Sequence, residues 1–205
     1  LYLTHAPTPK ISDFARLAAL EACIRATLLS VMPLVIYRAY GDAAVVSRIY
    51  LCVGIGSMFF GLMVPFAARY IPRRWMLTLA CGFYLAGIMM ALFGGAQGKA
   101  LVLLFNAVGT VTFTICLNAY VLDYINRIEL SRNEAMRMVY SAVPWSVGPI
   151  LGVTLLNWWE PAPFILAGIF ALVLAAEFWR LRLGNGRQIA RARAPAPNPL
   201  AYLGR

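Results

Sequence analysis

The sequence predicts an all-α integral membrane protein of six transmembrane helices with both termini cytoplasmic, and three observations carry that expectation. Six apolar stretches, near 15–37, 46–67, 75–95, 100–121, 139–158 and 162–179, are each long enough, or nearly so, to cross a hydrocarbon core of roughly 30 Å. Composition agrees: 61% of the 205 residues are hydrophobic and 13% are charged, where a soluble domain carries about a quarter charged residues. The basic residues are also unevenly placed, fourteen of the eighteen falling on one side of the zigzag. That side collects Lys10, Arg16, Arg69, Arg73, Arg74, Arg127, Arg132, Arg137, Arg180, Arg182, Arg187, Arg191, Arg193 and Arg205. The other side holds Arg38, Arg48 and Lys99, and Arg25 lies inside the first span. Cytoplasmic loops gather Lys and Arg because those charges resist translocation.

Taken in order, residues 1–14 form a polar cytoplasmic tail containing His5, Pro7 and Pro9, without the pattern of a cleavable signal peptide. The six-helix bundle is expected over 15–183. Its first span carries Glu21, Arg25 and Pro33, and Gly41-Asp42 marks an outer loop before the second. Pro72-Arg73-Arg74 makes a tight inner turn into the third span, and Gly94-Gly95-Ala96-Gln97-Gly98-Lys99 reads as a flexible outer hairpin. The fourth span holds Asn106, Thr110, Thr112, Thr114 and Asn118. The inner segment from Asp123 to Arg137 alternates in charge, with Asp123/Arg127 and Glu134/Arg137 at helical spacing, acid first. It reads as an interfacial helix at the cytoplasmic surface, or as a solvated charged loop. The fifth span contains Pro144, Gly148, Pro149 and Gly152, and Glu160-Pro161-Ala162-Pro163 closes it and opens the sixth. Residues 184–205, rich in Arg, Ala and Pro, form a basic cytoplasmic tail or linker.

The same inventory excludes several function classes. Cys23, Cys52, Cys81 and Cys116 lie in four different spans without CxxC spacing, so neither disulfide nor metal is expected. With one histidine, no phosphate-binding loop and no nucleophile–base set, the chain is not expected to be an enzyme or to hold a cofactor. A net charge of +10 sits at span ends rather than in one patch. Its partners are therefore anionic lipid headgroups rather than nucleic acid.

Glu21 and Arg25 are the leading candidate site. A lone charge inside a span costs at least ~2.5 kcal/mol, and Arg25 lies about 15 Å along the first span at the helix rise of 1.5 Å per residue. At i and i+4 the two neutralise each other along one face. They form either a self-satisfied bridge, with Glu21 snorkelling to the inner surface, or part of a water-filled cavity that binds an anionic substrate or relays a proton. Asn106 and Thr110, also i and i+4, mark a second polar stripe, and Asp123 is a further coupling candidate. Pro144 and Pro149 kink the fifth span, while Gly148 and Gly152 at small-xxx-small spacing let another helix approach closely.

These residues resemble the amino-terminal half of a major facilitator superfamily transporter, over roughly residues 14 to 184. Pro65-Phe66-Ala67-Ala68-Arg69-Tyr70-Ile71-Pro72-Arg73-Arg74 aligns without gaps to that family's G-x-L-a-D-r-x-G-r-r turn. Ala68, Arg73 and Arg74 match, Arg69 stands in the acidic place, and Pro65 and Pro72 stand in glycine places. Gly148-Pro149-Ile150-Leu151-Gly152 resembles the G-P-x-x-G element of the family's exporters. Gly109 fits the R-x-x-q-G pattern of the fourth span, with Phe105 in place of its arginine. The resemblance implies alternating access around a midplane site between two six-helix halves, with Arg69, Arg73 and Arg74 in the gating turn. It further implies export of a small organic solute from a bacterial-type inner membrane. The second half would be another chain, a homodimer partner or more of the same polypeptide. The alternative expectation is a non-transporting accessory or scaffold subunit of a larger membrane complex.

Overall fold

The computed structural model describes residues 9–181, and every element in that range is helical. Helix α1 spans Ile11–Tyr40, α2 Ala43–Tyr70, α3 Arg73–Phe93, α4 Gly95–Tyr124, α5 Leu130–Trp158 and α6 Ala162–Arg180, with one 3₁₀ turn at Arg127–Glu129. All six are long and apolar enough to cross a membrane. The chain is a multi-pass helical membrane protein. The basic tail expected at 184–205, with Arg182 and the first eight residues, lies outside the described range.

Local chemistry sets the breaks. Gly41, at φ 69°, ends α1 and donates its N–H to Tyr37 O at 2.8 Å, a conformation that costs glycine little. Asp42 then caps α2 by accepting the Ala44 N–H at 2.8 Å. Pro72 separates α2 from α3. At the other end of the chain, Asp13 accepts the Lys10 backbone N–H at 2.9 Å, which starts α1 at Ile11, within the expected tail.

Two expectations change. The glycine-rich stretch 94–99 is not a flexible hairpin, because α4 begins at Gly95 and only Gly94 intervenes. A Cβ on Gly98 would sit 2.1 Å from the Met90 carbonyl oxygen, so these glycines let two helix ends butt together. The charged stretch from Asp123 to Arg137 is neither a separate interfacial helix nor an open loop. Helix α4 continues through Asp123, the buried Ile125 turns the chain inward, and α5 has begun by Arg132. Asp123, Arg132, Glu134 and Arg137 ride on the ends of α4 and α5, and Arg127 and Glu129 fall in the 3₁₀ turn between them.

The packing has an internal symmetry. Helix α1 carries α5 and α6, while α4 carries α2 and α3, and the two groups meet through α1–α4 and α3–α6. Exchanging α1 with α4, α2 with α5 and α3 with α6 maps these principal contacts onto themselves. The two three-helix groups therefore occupy equivalent places. Close approach between helices rests on glycine: Gly109 of α4 lies against the Ala80 carbonyl of α3, and Gly148 and Gly152 of α5 lie against Ala26 and Thr27 of α1. Burial is uneven. In the membrane-crossing window 56% of α1 is buried, but 11% of α5 and 6% of α2.

Candidate functional site

The charged cluster forms where the middles of four helices meet. Arg25, Tyr84, Thr110 and Trp145 each lie within about one residue of the midpoint of α1, α3, α4 and α5 respectively, and so at one depth. Arg25 Nε stands 2.9 Å from Glu21 Oε1, one helical turn back, as the i, i+4 spacing predicts. The Tyr84 hydroxyl donates to the same Glu21 oxygen at 3.1 Å. Tyr84 also lies 3.0 Å from Thr110 Oγ1, and since its single proton points to Glu21, the threonine hydroxyl is the donor there. The result is a polar chain from Thr110 through Tyr84 to Glu21 and Arg25.

Burial divides this cluster into a closed side and an open side. The Glu21 side chain is 8% exposed, whereas Arg25 is 37% exposed. The Arg25 guanidinium lies over the Trp145 ring, 5.0 Å from its centroid, an attractive cation–π arrangement. The negative end is thus sealed inside the bundle, and the positive end reaches its surface at mid-depth. Snorkelling of Glu21 to the inner surface does not occur, because Arg25 and Tyr84 satisfy it where it stands.

From this point a polar stripe runs toward the end of the bundle that holds residues 9 and 181. On α4 it comprises Thr110, Thr114 and Asn118 at four-residue spacing, the last two exposed, while Asn106 continues the same spacing one turn toward the opposite end. Arg137 of α5 bonds Asn118 Oδ1 at 2.9 Å and Glu134 Oε1 at 2.7 Å. Asn106 Oδ1 and Arg137 Nε are buried without a hydrogen-bonding protein group. Beyond the stripe, Asp123 is ion-paired with Arg73 rather than standing alone, which joins the α3 and α4 ends. Arg74 lies over its neighbour Trp75 at 5.9 Å. The side chains of Arg69 and Arg127 lie outside the described residues. Pro144 and Pro149 sit within an unbroken α5, bracketing Gly148 where it meets α1. The opposite end of the bundle is laced separately, by Lys99 with Glu160 and by the Tyr40 hydroxyl on the Ala96 carbonyl.

Tyr84 and Trp145 are the members that sequence reasoning passes over. An aromatic residue in an apolar span reads as lipid-facing or core, and only its matching depth to Arg25 hints otherwise. Asn133 of α5 is another such residue: it is completely buried, and neither side-chain polar atom has a protein partner. A buried amide left unpaired costs roughly 1–3 kcal/mol. Asn133→Leu is therefore expected to raise the thermal unfolding midpoint in detergent; a lower midpoint would mean that the amide is satisfied in the native membrane.

Fold and site together define a multi-pass helical membrane protein with a charge cluster at its mid-depth. No family model matches the chain, and no curated protein matches it.

Proposed function

We propose that this chain is one half of a secondary transporter of the major facilitator type, sited in a bacterial-type inner membrane with its termini cytoplasmic. It works with a second six-helix half, from a second copy, a complementary chain or more of the same polypeptide, to export a small organic solute by alternating access. The observation that carries this reading is the partly exposed Arg25 at mid-depth. An arginine facing hydrocarbon at that depth costs at least ~2.5 kcal/mol, so its open side belongs to water or to protein. A polar face flanked by α2 and α5, the two least buried helices, is what one wall of a central cavity needs. The paired three-helix packing supports the same reading, since halves of this superfamily are built from 3+3 inverted repeats.

The test is flux. Proteoliposomes holding the chain with its second half should move organic solutes across the bilayer, and Arg25→Ala should stop the movement. Equal flux with Arg25→Ala and with Glu21→Ala would remove this cluster from the transport path. The accessory-subunit reading draws on Arg69 and Phe105, which stand where the family's gating acid and span-four arginine would be. Stoichiometric co-purification with unrelated membrane proteins in mild detergent would favour it.

A further inference from the structure

We infer that the solute bound at this cluster is an organic monocarboxylate, held by Arg25 with its apolar body against Trp145. The inference rests on reading the polar face as a solute cavity and names the class of solute. The accessible charge at mid-depth is positive: Arg25 is 37% exposed while its counter-ion Glu21 is 8% exposed and further occupied by the Tyr84 hydroxyl. A cation entering here meets the guanidinium first. An anion meets a planar fork of donors whose buried Nε lies against Glu21 in ion-pair contact without a directed hydrogen bond, and the remaining donors of that fork suit a carboxylate.

Glu21 also limits the charge. Its carboxylate is 2.9 Å from Arg25 Nε, so a doubly charged phosphate would gain one cation and face one anion at close range, whereas a single carboxylate shares the guanidinium. Tyr84 matters at this moment. When the guanidinium turns toward the ligand, Glu21 keeps the Tyr84 proton donor and is not left bare in the bundle. Asn106 Oδ1, one turn from Thr110 on α4, is a buried acceptor without a protein donor. Trp145, 38% exposed, offers apolar ring surface beside the guanidinium. The two carboxylates, Glu21 and the ligand's, therefore compete for Arg25.

Competition makes a specific prediction. Labelled benzoate is titrated against the full chain in lipid nanodiscs, with benzylamine and benzyl alcohol as competitors. Benzoate should be retained and displaced only by unlabelled benzoate. Arg25→Gln should weaken it by about tenfold or more, Arg25→Lys by less, and Glu21→Gln should tighten it because the guanidinium is no longer shared. The double substitution Glu21→Gln with Arg25→Gln leaves no buried charge to disturb folding, and should still fail to hold benzoate. Retention by that folded double variant, displacement by benzylamine, or no retention at millimolar benzoate would each overturn the inference. Myristate displacing benzoate at far lower concentration would also overturn it, by assigning the carboxylate to a lipid. Benzoate binding without flux would remove the transport reading and keep the site, while flux of an amine without benzoate binding would do the reverse.

Discussion

Gly152→Val should be the most damaging single substitution along α5, lowering stability by about 3 kcal/mol or abolishing the folded protein. Even the first added carbon would lie 2.2 Å from the Thr27 carbonyl oxygen of α1, and one turn earlier a Cβ on Gly148 would lie 2.6 Å from Ala26 Cβ. Backbone cannot yield as a side-chain tip can, so α5 must move away from α1. Overpacking of a filled interior typically costs about 1–3 kcal/mol, and here the displaced contact is the most extensive in the bundle. The shift also carries Trp145 off Arg25. Thermal unfolding in detergent checks the prediction, with Gly82→Ala as the control, because nothing lies within 4 Å of a Cβ there. If Gly152→Val unfolds where Gly82→Ala does, the α1–α5 seam is looser than described.

Arg25→Ala carries the second large effect. It leaves the Glu21 carboxylate buried with the Tyr84 hydroxyl for company and no cation in contact. Removing one partner of a buried pair costs roughly 3–5 kcal/mol, and with Arg25 more than a third exposed about 2 kcal/mol is the reasonable expectation. Glu21→Gln in the same background should restore most of that loss, since the group left behind is then neutral. A double-mutant cycle reads the coupling directly. The pair Arg180–Glu177, exposed at the end of α6, supplies the contrast: Arg180→Ala should change stability by less than about 0.5 kcal/mol. Equal losses at the two sites would mean that the central pair is solvated.

Legibility in the sequence followed the range of the interaction. The six helices are plain from apolar length, and the Glu21–Arg25 pair from spacing along one helix, because both signals are local. Gly148 and Gly152 announce close approach, though not that Ala26 and Thr27 are what they approach. Asp123 looks paired with Arg127 four residues on, and its partner in space is Arg73, fifty residues back on the neighbouring helix. Tyr84 and Trp145 enter the site only through the crossing of helices. The glycines of 94–99 show the opposite failure: the same residue type that frees a chain also lets two backbones touch, and composition does not distinguish the two uses.

The sparse cover on α2 bears on how the chain is assembled. Its main neighbour is α4, which leaves the ribosome only after α2 and α3 have been made. A segment in that position must reside in lipid as a solitary rod until its partner arrives, stable by its own apolar length rather than by companionship. Once assembly is complete the same rod has the fewest attachments to release, so amide exchange and limited proteolysis should find it first.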